Sequence, residues 1–313
     1  MYRLTPRTRR LGARRNFHWW LFLAPALIVY VGFMALPLIN SMRLSFFTGP
    51  GLSPSEFAGF DNYRALLLPG RMRDAFLNAF GNNVVFFTIS MLVQNTLGLL
   101  FAELLSRPFR GRTIYRALVF LPATLSIIVC GFLWTLLLNP RWGIINSTLE
   151  SIGLESLTRP WLGDSTYALP AIALASSWQN VGLPTIIFLA GMLNIPDELL
   201  EAAALDGASK WRTFWSVKVP LLKPLIGIVT ILTFVGNFTA FDIIFGMATS
   251  RGEPQGATDM LATFFYRIGI SGEPPTGQPN AGLGAAIATM TFLILSIGVV
   301  TVLRLTRENR DTS

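Results

Sequence analysis

Charge is scarce in this chain: Asp, Glu, Lys and Arg make up 13% of 313 residues, against 52% apolar side chains, with a mean hydropathy of +0.51. A large soluble domain needs charge spread over every surface helix, so a soluble enzyme is excluded. Cysteine and histidine occur once each, as Cys130 and His18. A single cysteine can form no internal disulfide, and thiol or metal catalysis has no residues to use. No nucleophile, acid or metal cluster falls in the apolar runs, which argues against an intramembrane enzyme. Lysine occurs only as Lys210, Lys218 and Lys223, none of them after a glycine. No GxxxxGK[ST] phosphate loop exists, so the chain cannot be its own ATPase.

What the chain has in abundance is uncharged length. Six stretches of about 20 residues, enough to cross a bilayer as helix, run from Phe17 to Leu38, Ala79 to Phe101, Ala117 to Leu138, Ala168 to Ala190, Leu221 to Met247 and Ala281 to Leu303. They are continuous and do not alternate, which predicts helices and not a barrel. Lys223 and Asp242 are the only charges in them. The expected fold is an all-α polytopic membrane protein of six transmembrane helices in one domain. The first apolar run is too long for a signal peptide and ends in no small-x-small cleavage site, so it reads as an uncleaved span. His18 beside Trp19 and Trp20 fits an interfacial belt.

Basic residues orient the bundle. Arg3, Arg7, Arg9, Arg10, Arg14 and Arg15 precede the first span, Arg107, Arg110, Arg112 and Arg116 join the second to the third, Lys210, Arg212, Lys218 and Lys223 lie before or at the start of the fifth, and Arg304, Arg307 and Arg310 end the chain; these are 17 of the 25. Both tails, residues 1–16 and 304–313, and the 194–220 loop are therefore expected in the cytoplasm. The net charge of +8 is a topology signal dispersed over several loops and not a nucleic-acid footprint. The outer loops, Ile39 to Asn78, Asn139 to Tyr167 and Ala248 to Asn280, are too short for a ligand-binding domain. The first suggests a short helix near Arg73 to Ala79 along the outer face, and the third is rich in Gly and Pro turns.

The inner loop before the fifth span is the most structured polar stretch. Pro196 suits a helix start, with Asp197 and Glu198 in the first turn. Leu199, Leu200, Ala203 and Ala204 share one side at helical spacing, with Glu201 on another. Gly207 tolerates the backbone needed to end the helix. Asp206 could cap a second helix bearing Trp211, Phe214 and Trp215 on one face, and Pro220 and Pro224 close the segment. The aromatic face suits the lipid interface or neighbouring spans. The Ala-rich helix suits another protein, because small side chains admit a close backbone and Glu201 offers a charge.

Polar groups inside spans mark a pathway or helix glue. The fourth span carries Gln179, Asn180 and Gly182, with Pro184 removing the hydrogen bond to the Asn180 carbonyl and predicting a kink. The fifth carries Asn237 and Thr239, with Asp242 near its outer end, where it could instead reach the interface. Trp134 offers a flat face to a sugar ring.

Glu201-Ala202-Ala203, Asp206-Gly207-Ala208, Trp211, Phe214, Pro220-Leu221-Leu222 and Pro224 resemble the EAA loop of the permease subunits of binding-protein-dependent ABC importers. Arg116 to Pro122, Trp134 to Asn139, Gly143, Asn146, Trp161, Trp178, Leu189-Ala190-Gly191 and Ile195-Pro196 resemble the carbohydrate group of that family, the maltose and glycerol-3-phosphate permease type, with weaker matches at Asp61-Asn62-Tyr63 and Phe241-Asp242. The resemblance covers Trp20 to Leu303. It implies the type I ABC importer permease fold, with a cytoplasmic helix-turn-helix coupling loop that docks in a groove of an ATPase. Glu201 would anchor that helix and Gly207 would let the chain turn, within a coupling set of Glu201, Ala202, Ala203, Asp206, Gly207 and Ala208.

The resemblance further implies a second permease subunit in a heterodimer, two ATP-binding cassette ATPases carrying ATP and Mg, an extracytoplasmic substrate-binding protein, and a bacterial or archaeal inner membrane location. The solute would be a sugar, from mono- to oligosaccharide, or of glycerol phosphate type, moved inward by alternating access. No cofactor is expected on this chain. It departs from the family in the outer turn Met247 to Pro254, where many relatives show a Leu-Thr-Gly-Gly-Gly-Pro-like sequence, and in a longer Ile270 to Ala281. An ion-coupled secondary transporter is the alternative, but it would need buried coupling charges, and only Asp242 is available.

Overall fold

The computed structural model describes residues 22–307; the arginines up to and including Arg15, His18, and the start of the first predicted span lie outside them, as does Arg310. The described chain is mostly helical. Helix α1 runs Phe22–Leu44, α2 Asp61–Leu67 and α3 Arg71–Ser106. Next come α4 (Arg112–Phe120), α5 (Ile127–Leu137), α6 (Ile144–Ser151), α7 (Ala168–Asn180) and α8 (Gly182–Leu193). The last six are α9 (Asp197–Leu205), α10 (Lys210–Leu221), α11 (Lys223–Phe238), α12 (Asp242–Ala248), α13 (Leu261–Tyr266) and α14 (Ala281–Arg307). Two short strands, β1 (Phe47–Thr48) and β2 (Glu56–Phe57), pair antiparallel.

Among the described residues, α1, α3 and α14 are long and apolar enough to cross a membrane, and three bent helix pairs raise the number to six if each pair is one span. The second predicted span is longer than expected. The segment near Arg73, expected as a separate surface helix, is the first turn of α3, because nothing between Arg71 and Ser90 interrupts the helix. Helix α3 contains a π-helical turn at Met91–Asn95.

The third predicted span is not one helix. After a 3-10 turn at Leu121–Thr124, Leu125 and Ser126 are extended (ψ 143° and 138°), and α5 leaves at 97° to α4. The fourth bends by 46° between α7 and α8, as Pro184 predicts. The fifth also breaks: Thr239 (φ −106°, ψ 6°) ends α11, and α12 restarts at Asp242. At its other end α11 meets α10 at 71°.

Three buried clusters hold the bundle. Phe86, Cys130, Ile172, Ile244 and Met260 join α3, α5, α7 and α12. Leu66, Phe76, Phe238, Phe264 and Ile287 join α2, α3, α11, α13 and α14. Ala102, Phe188, Met192, Phe214, Leu222 and Val229 join α3, α8, α10 and α11. Helices α3 and α8 pack tightly at Gly98, where a Cβ would fall 2.7 Å from that of Pro184. By contrast α1 buries none of its apolar window and touches the bundle through its second half, against α14.

Polar seams fix the register. Asn83, fully buried, donates to the Asn237 carbonyl at 3.0 Å and accepts from the Leu261 amide at 2.8 Å, so one side chain ties α3, α11 and α13. Asn95 and Thr233 bond each other at 3.1 Å. At the loop-rich end Asn62 donates to the carbonyls of Ser45 and Phe47, which gives the Asp61-Asn62-Tyr63 stretch a structural task. There too Arg267 and Asp259 form a buried ion pair. Asp259 also accepts from Thr263, and Arg267 donates to the Arg251 carbonyl at 2.9 Å. Burial lifts the Asp259 carboxyl above its ordinary range, against the opposing pull of Arg267.

Candidate functional site

The breaks in the spans open a cavity of about 360 Å³. The first residue of α5, the bend between α7 and α8, and the end of α11 all line it. Its polar lining is Gln94, Ser176, Gln179, Asn180, Thr233, Asn237, Thr239 and Asp242, with Phe241 and Ile127 among the apolar residues. Five of the seven predicted pathway residues, Gln179, Asn180, Asn237, Thr239 and Asp242, thus meet in one place.

Apart from the Asp242 carboxylate, the chemistry is that of neutral amides and hydroxyls. Gln179 donates through Nε2 to the Leu125 carbonyl at 3.0 Å, a group left outside both α4 and α5. Its Oε1 is buried with no partner, and so is the Asn237 Nδ2. A buried polar atom without a partner costs about 1–3 kcal/mol, and both of these belong to residues of the cavity wall. Asn180 is held by the Ser176 carbonyl at 2.9 Å, and Thr239 by that of Val235 at 2.8 Å. Asp242 is exposed in the first turn of α12, where the helix end favours its charge. No lysine or arginine lines the cavity.

The other two candidates lie elsewhere. Trp134 packs edge-on against Trp178, with ring centroids 5.7 Å apart, beside the Phe86 cluster. Gly182 sits where α8 passes α4: a Cβ there would lie 3.1 Å from the Val119 carbonyl. It borders a second recess of about 220 Å³ with Arg116, Phe120 and Leu189. Gln94, Ser176 and Thr233 were missed because only the polar residues beside Pro184 and near the outer end of the fifth span were picked out; an inventory of every amide and hydroxyl in the spans finds them.

At the opposite, basic end stands the helix-turn-helix of α9 and α10. Pro196 precedes α9 as its cap residue. The turn is a Schellman motif, with the Ala208 amide donating to the Ala203 carbonyl at 2.9 Å and the Gly207 amide to that of Ala204 at 3.0 Å. Gly207 has φ +74°, the left-handed conformation that favours glycine. This geometry makes Asp206 the end of α9 and not, as expected, the start of the next helix. Ser209 takes that place, its hydroxyl accepting from the Arg212 amide.

The packing of α9 falls on α10. Glu201, Ala202, Asp206 and Gly207 are exposed, Ala203 and Ala208 half-buried, and Leu205 is 89% exposed. Of the aromatic triad only Phe214 enters the bundle, at 2% exposure, while Trp211 and Trp215 remain exposed.

Residues 94–307, from the first polar residue of the cavity to the end of α14, match the family model described as binding-protein-dependent transport system inner membrane component. The chain belongs to this family. It is therefore a multi-pass inner membrane component of an ABC transporter. The permease is 34% identical over 293 residues to the multiple sugar-binding transport system permease protein MsmF of Streptococcus mutans, covering 93% of this chain and 95% of that one. It is 31% identical over 308 residues to the trehalose/maltose transport system permease protein MalF of Thermococcus litoralis, covering 97% and 98%. A probable ABC transporter permease protein of Bacillus subtilis, YurN, is 34% identical over 278 residues, covering 88% and 91%. A solved bacterial ABC transporter involved in import of the acidic polysaccharide alginate contains a chain of the same fold. Its TM-score is 0.78 at 21% identity, covering 94% of the permease and 96% of that chain.

Proposed function

We propose that this chain is one membrane-spanning subunit of an ATP-driven importer for a neutral, hydroxyl-rich solute, a sugar from mono- to oligosaccharide, and that its cavity is this subunit's share of the pathway. The observation that carries the reading is the cavity lining: amides and hydroxyls with a single carboxylate, Asp242, and no cation. A sugar presents hydroxyls that both donate and accept, and so suits a wall of amides and hydroxyls. A phosphate would want arginine or lysine, so the glycerol phosphate type fits this wall less well. Several relatives carry sugar transport in their names, which supports the same class.

In this reading all six spans cross the membrane, both tails and the 194–220 loop lie in the cytoplasm, and α9 docks on one of two ATPases that bind ATP and Mg. The basic residues of α4 and α10 share one end of the bundle, which supports the orientation. Glu201 pairs with the ATPase surface and Gly207 holds the turn. A second permease completes the pathway, and an extracytoplasmic binding protein delivers solute at the loop-rich end; a related solved structure includes such a protein, bound to an alginate pentasaccharide.

The test is purification under mild conditions, identification of the proteins that accompany the chain, and reconstitution of the assembly. ATP-dependent uptake of a neutral sugar is expected. Solute movement by this chain alone down an ion gradient would overturn the reading in favour of a secondary transporter.

A further inference from the structure

Glu103 lies in the last turn of α3, 8% exposed. A carboxylate there is badly placed for the helix itself: the C-terminal end of a helix carries partial negative charge and disfavours another, and burial adds a desolvation cost. Two cations offset this. Lys218 Nζ donates to Glu103 Oε2 at 2.7 Å, and Arg107 Nη2 donates to Oε1 at 2.7 Å. Arg107 is the local neighbour, one turn on and 44% exposed in its side chain, whereas Lys218 comes from α10 and its side chain is only 14% exposed. Among the described residues this is the one ion pair joining α10 to another helix.

The position of the pair matters because of what lies on either side. Helix α9 reaches the bundle mainly through α10. Helix α10 is held by Phe214, buried among Ala102, Leu105 and Phe188, and one turn on by Lys218. Beyond Glu103, α3 runs back through Gln94, in the cavity wall, and Asn95, bonded to Thr233. Nine residues of helix, about 13 Å at 1.5 Å per residue, separate the carboxylate from Gln94. An apolar contact such as Phe214 can slide, but a buried, hydrogen-bonded ion pair holds its partners at fixed distance.

We propose that the Glu103–Lys218 ion pair is the link that passes movement of α9 and α10 into α3 and so to the cavity wall. Glu103 and Lys218 are then positioning residues of the transport cycle. The inference rests on the reading of α9 as the ATPase-docking helix. It adds a specific route: force leaves the helix-turn-helix at Lys218 and not only through the covalent continuation into α11.

The test uses the whole transporter with its ATPases and binding protein, reconstituted in vesicles, and measures solute moved per ATP hydrolysed alongside ATPase co-purification. Glu103→Gln and Lys218→Met should each retain the ATPases but lower solute moved per ATP by about fivefold or more, the lower range of a site-to-site coupling. The double variant should be no worse than either single, and Lys218→Arg should restore most of the ratio. A wild-type ratio in a single variant, or losses that multiply in the double, would overturn the link. If Glu103→Gln does not assemble, the contrast between Lys218→Met and Lys218→Arg decides alone, and equal behaviour of those two counts against it. Failure of the docking reading looks different: there Glu201→Ala and Gly207→Val would keep the ATPases and full uptake whatever the Glu103 variants do.

Discussion

The side-chain amide of Gln179 donates to the main-chain carbonyl of Leu125 at 3.0 Å while its own oxygen stays buried and unpartnered. One residue thus repairs the broken third span and lines the cavity beside it. Asn237 divides the same tasks differently. Its carbonyl accepts from Asn83, so the main chain holds the bundle, and its side-chain Nδ2 bonds nothing.

The two residues should therefore separate stability from transport. Asn237→Ala removes no side-chain bond to Nδ2 and should leave thermal stability near wild type. It should lower sugar uptake about tenfold, the equivalent of one hydrogen bond worth roughly 1.4 kcal/mol. Gln179→Leu should lower both, because the Leu125 carbonyl also loses its donor. Uptake curves over solute concentration and melting curves of the purified protein make the comparison. Unaltered uptake by Asn237→Ala would remove that residue from the pathway.

At Gly207 nothing lies within 4 Å of where a Cβ would sit, yet φ is +74°. Substitution is limited by backbone and not by space, and the left-handed conformation costs an ordinary residue roughly 1–2 kcal/mol. The expected order of uptake and ATPase co-purification is Gly, then Asn, then Ala, then Val, since asparagine tolerates this region best and β-branched residues least. Membrane insertion should be the same in all four. A valine variant with full uptake would show that the turn need not be kept.

Much of this arrangement is readable in the residues, and the exceptions share physical causes. Apolar length marked the helices, and Pro184 marked the bend beside Asn180, because proline removes a hydrogen bond wherever it stands in a helix. The break at Leu125 and Ser126 carries no such mark. Pro122 stands three residues earlier and is accommodated at the start of a 3-10 turn, and an apolar run reads the same whether straight or folded over. Asp206 and Ser209 are both good caps; which one is used is set by the left-handed Gly207 between them, a backbone property. Glu103 was passed over because it falls two residues beyond an apolar run, although α3 continues through it.

Asn83 should be the most sensitive polar residue of the bundle. Asn83→Leu would orphan the Leu261 amide, at about 1–3 kcal/mol, and leave the Asn237 carbonyl only the weaker main-chain amides at the end of α11. A clear drop in melting temperature is expected. Asn78→Ala, which gives up an exposed bond to Gly256, should change it little. Similar melting temperatures for the two variants would mean that water reaches the buried seam.

The Asp259–Arg267 pair gives a prediction with a pH dependence. Removing one member of a buried pair leaves an uncompensated charge at about 3–5 kcal/mol, and removing both often costs less. Arg267→Met and Asp259→Leu should each lower the melting temperature more than the double variant does, although the double still loses the bond to the Arg251 carbonyl. Burial already raises the Asp259 carboxyl even with Arg267 beside it, and in Arg267→Met the rise should be larger. A carboxyl whose folded pKa is raised contributes stability that is complete below its unfolded value, about 4. That stability is lost as pH rises through the folded value. The deficit of Arg267→Met should accordingly shrink on acidification from neutral pH toward 4, whereas Asp259→Leu, with no carboxyl left to protonate, should show no such recovery. Parallel melting curves for the two variants across that range would mean that Asp259 is not ionised against a buried background, and the pair would then be a surface contact of little consequence for the loop it closes.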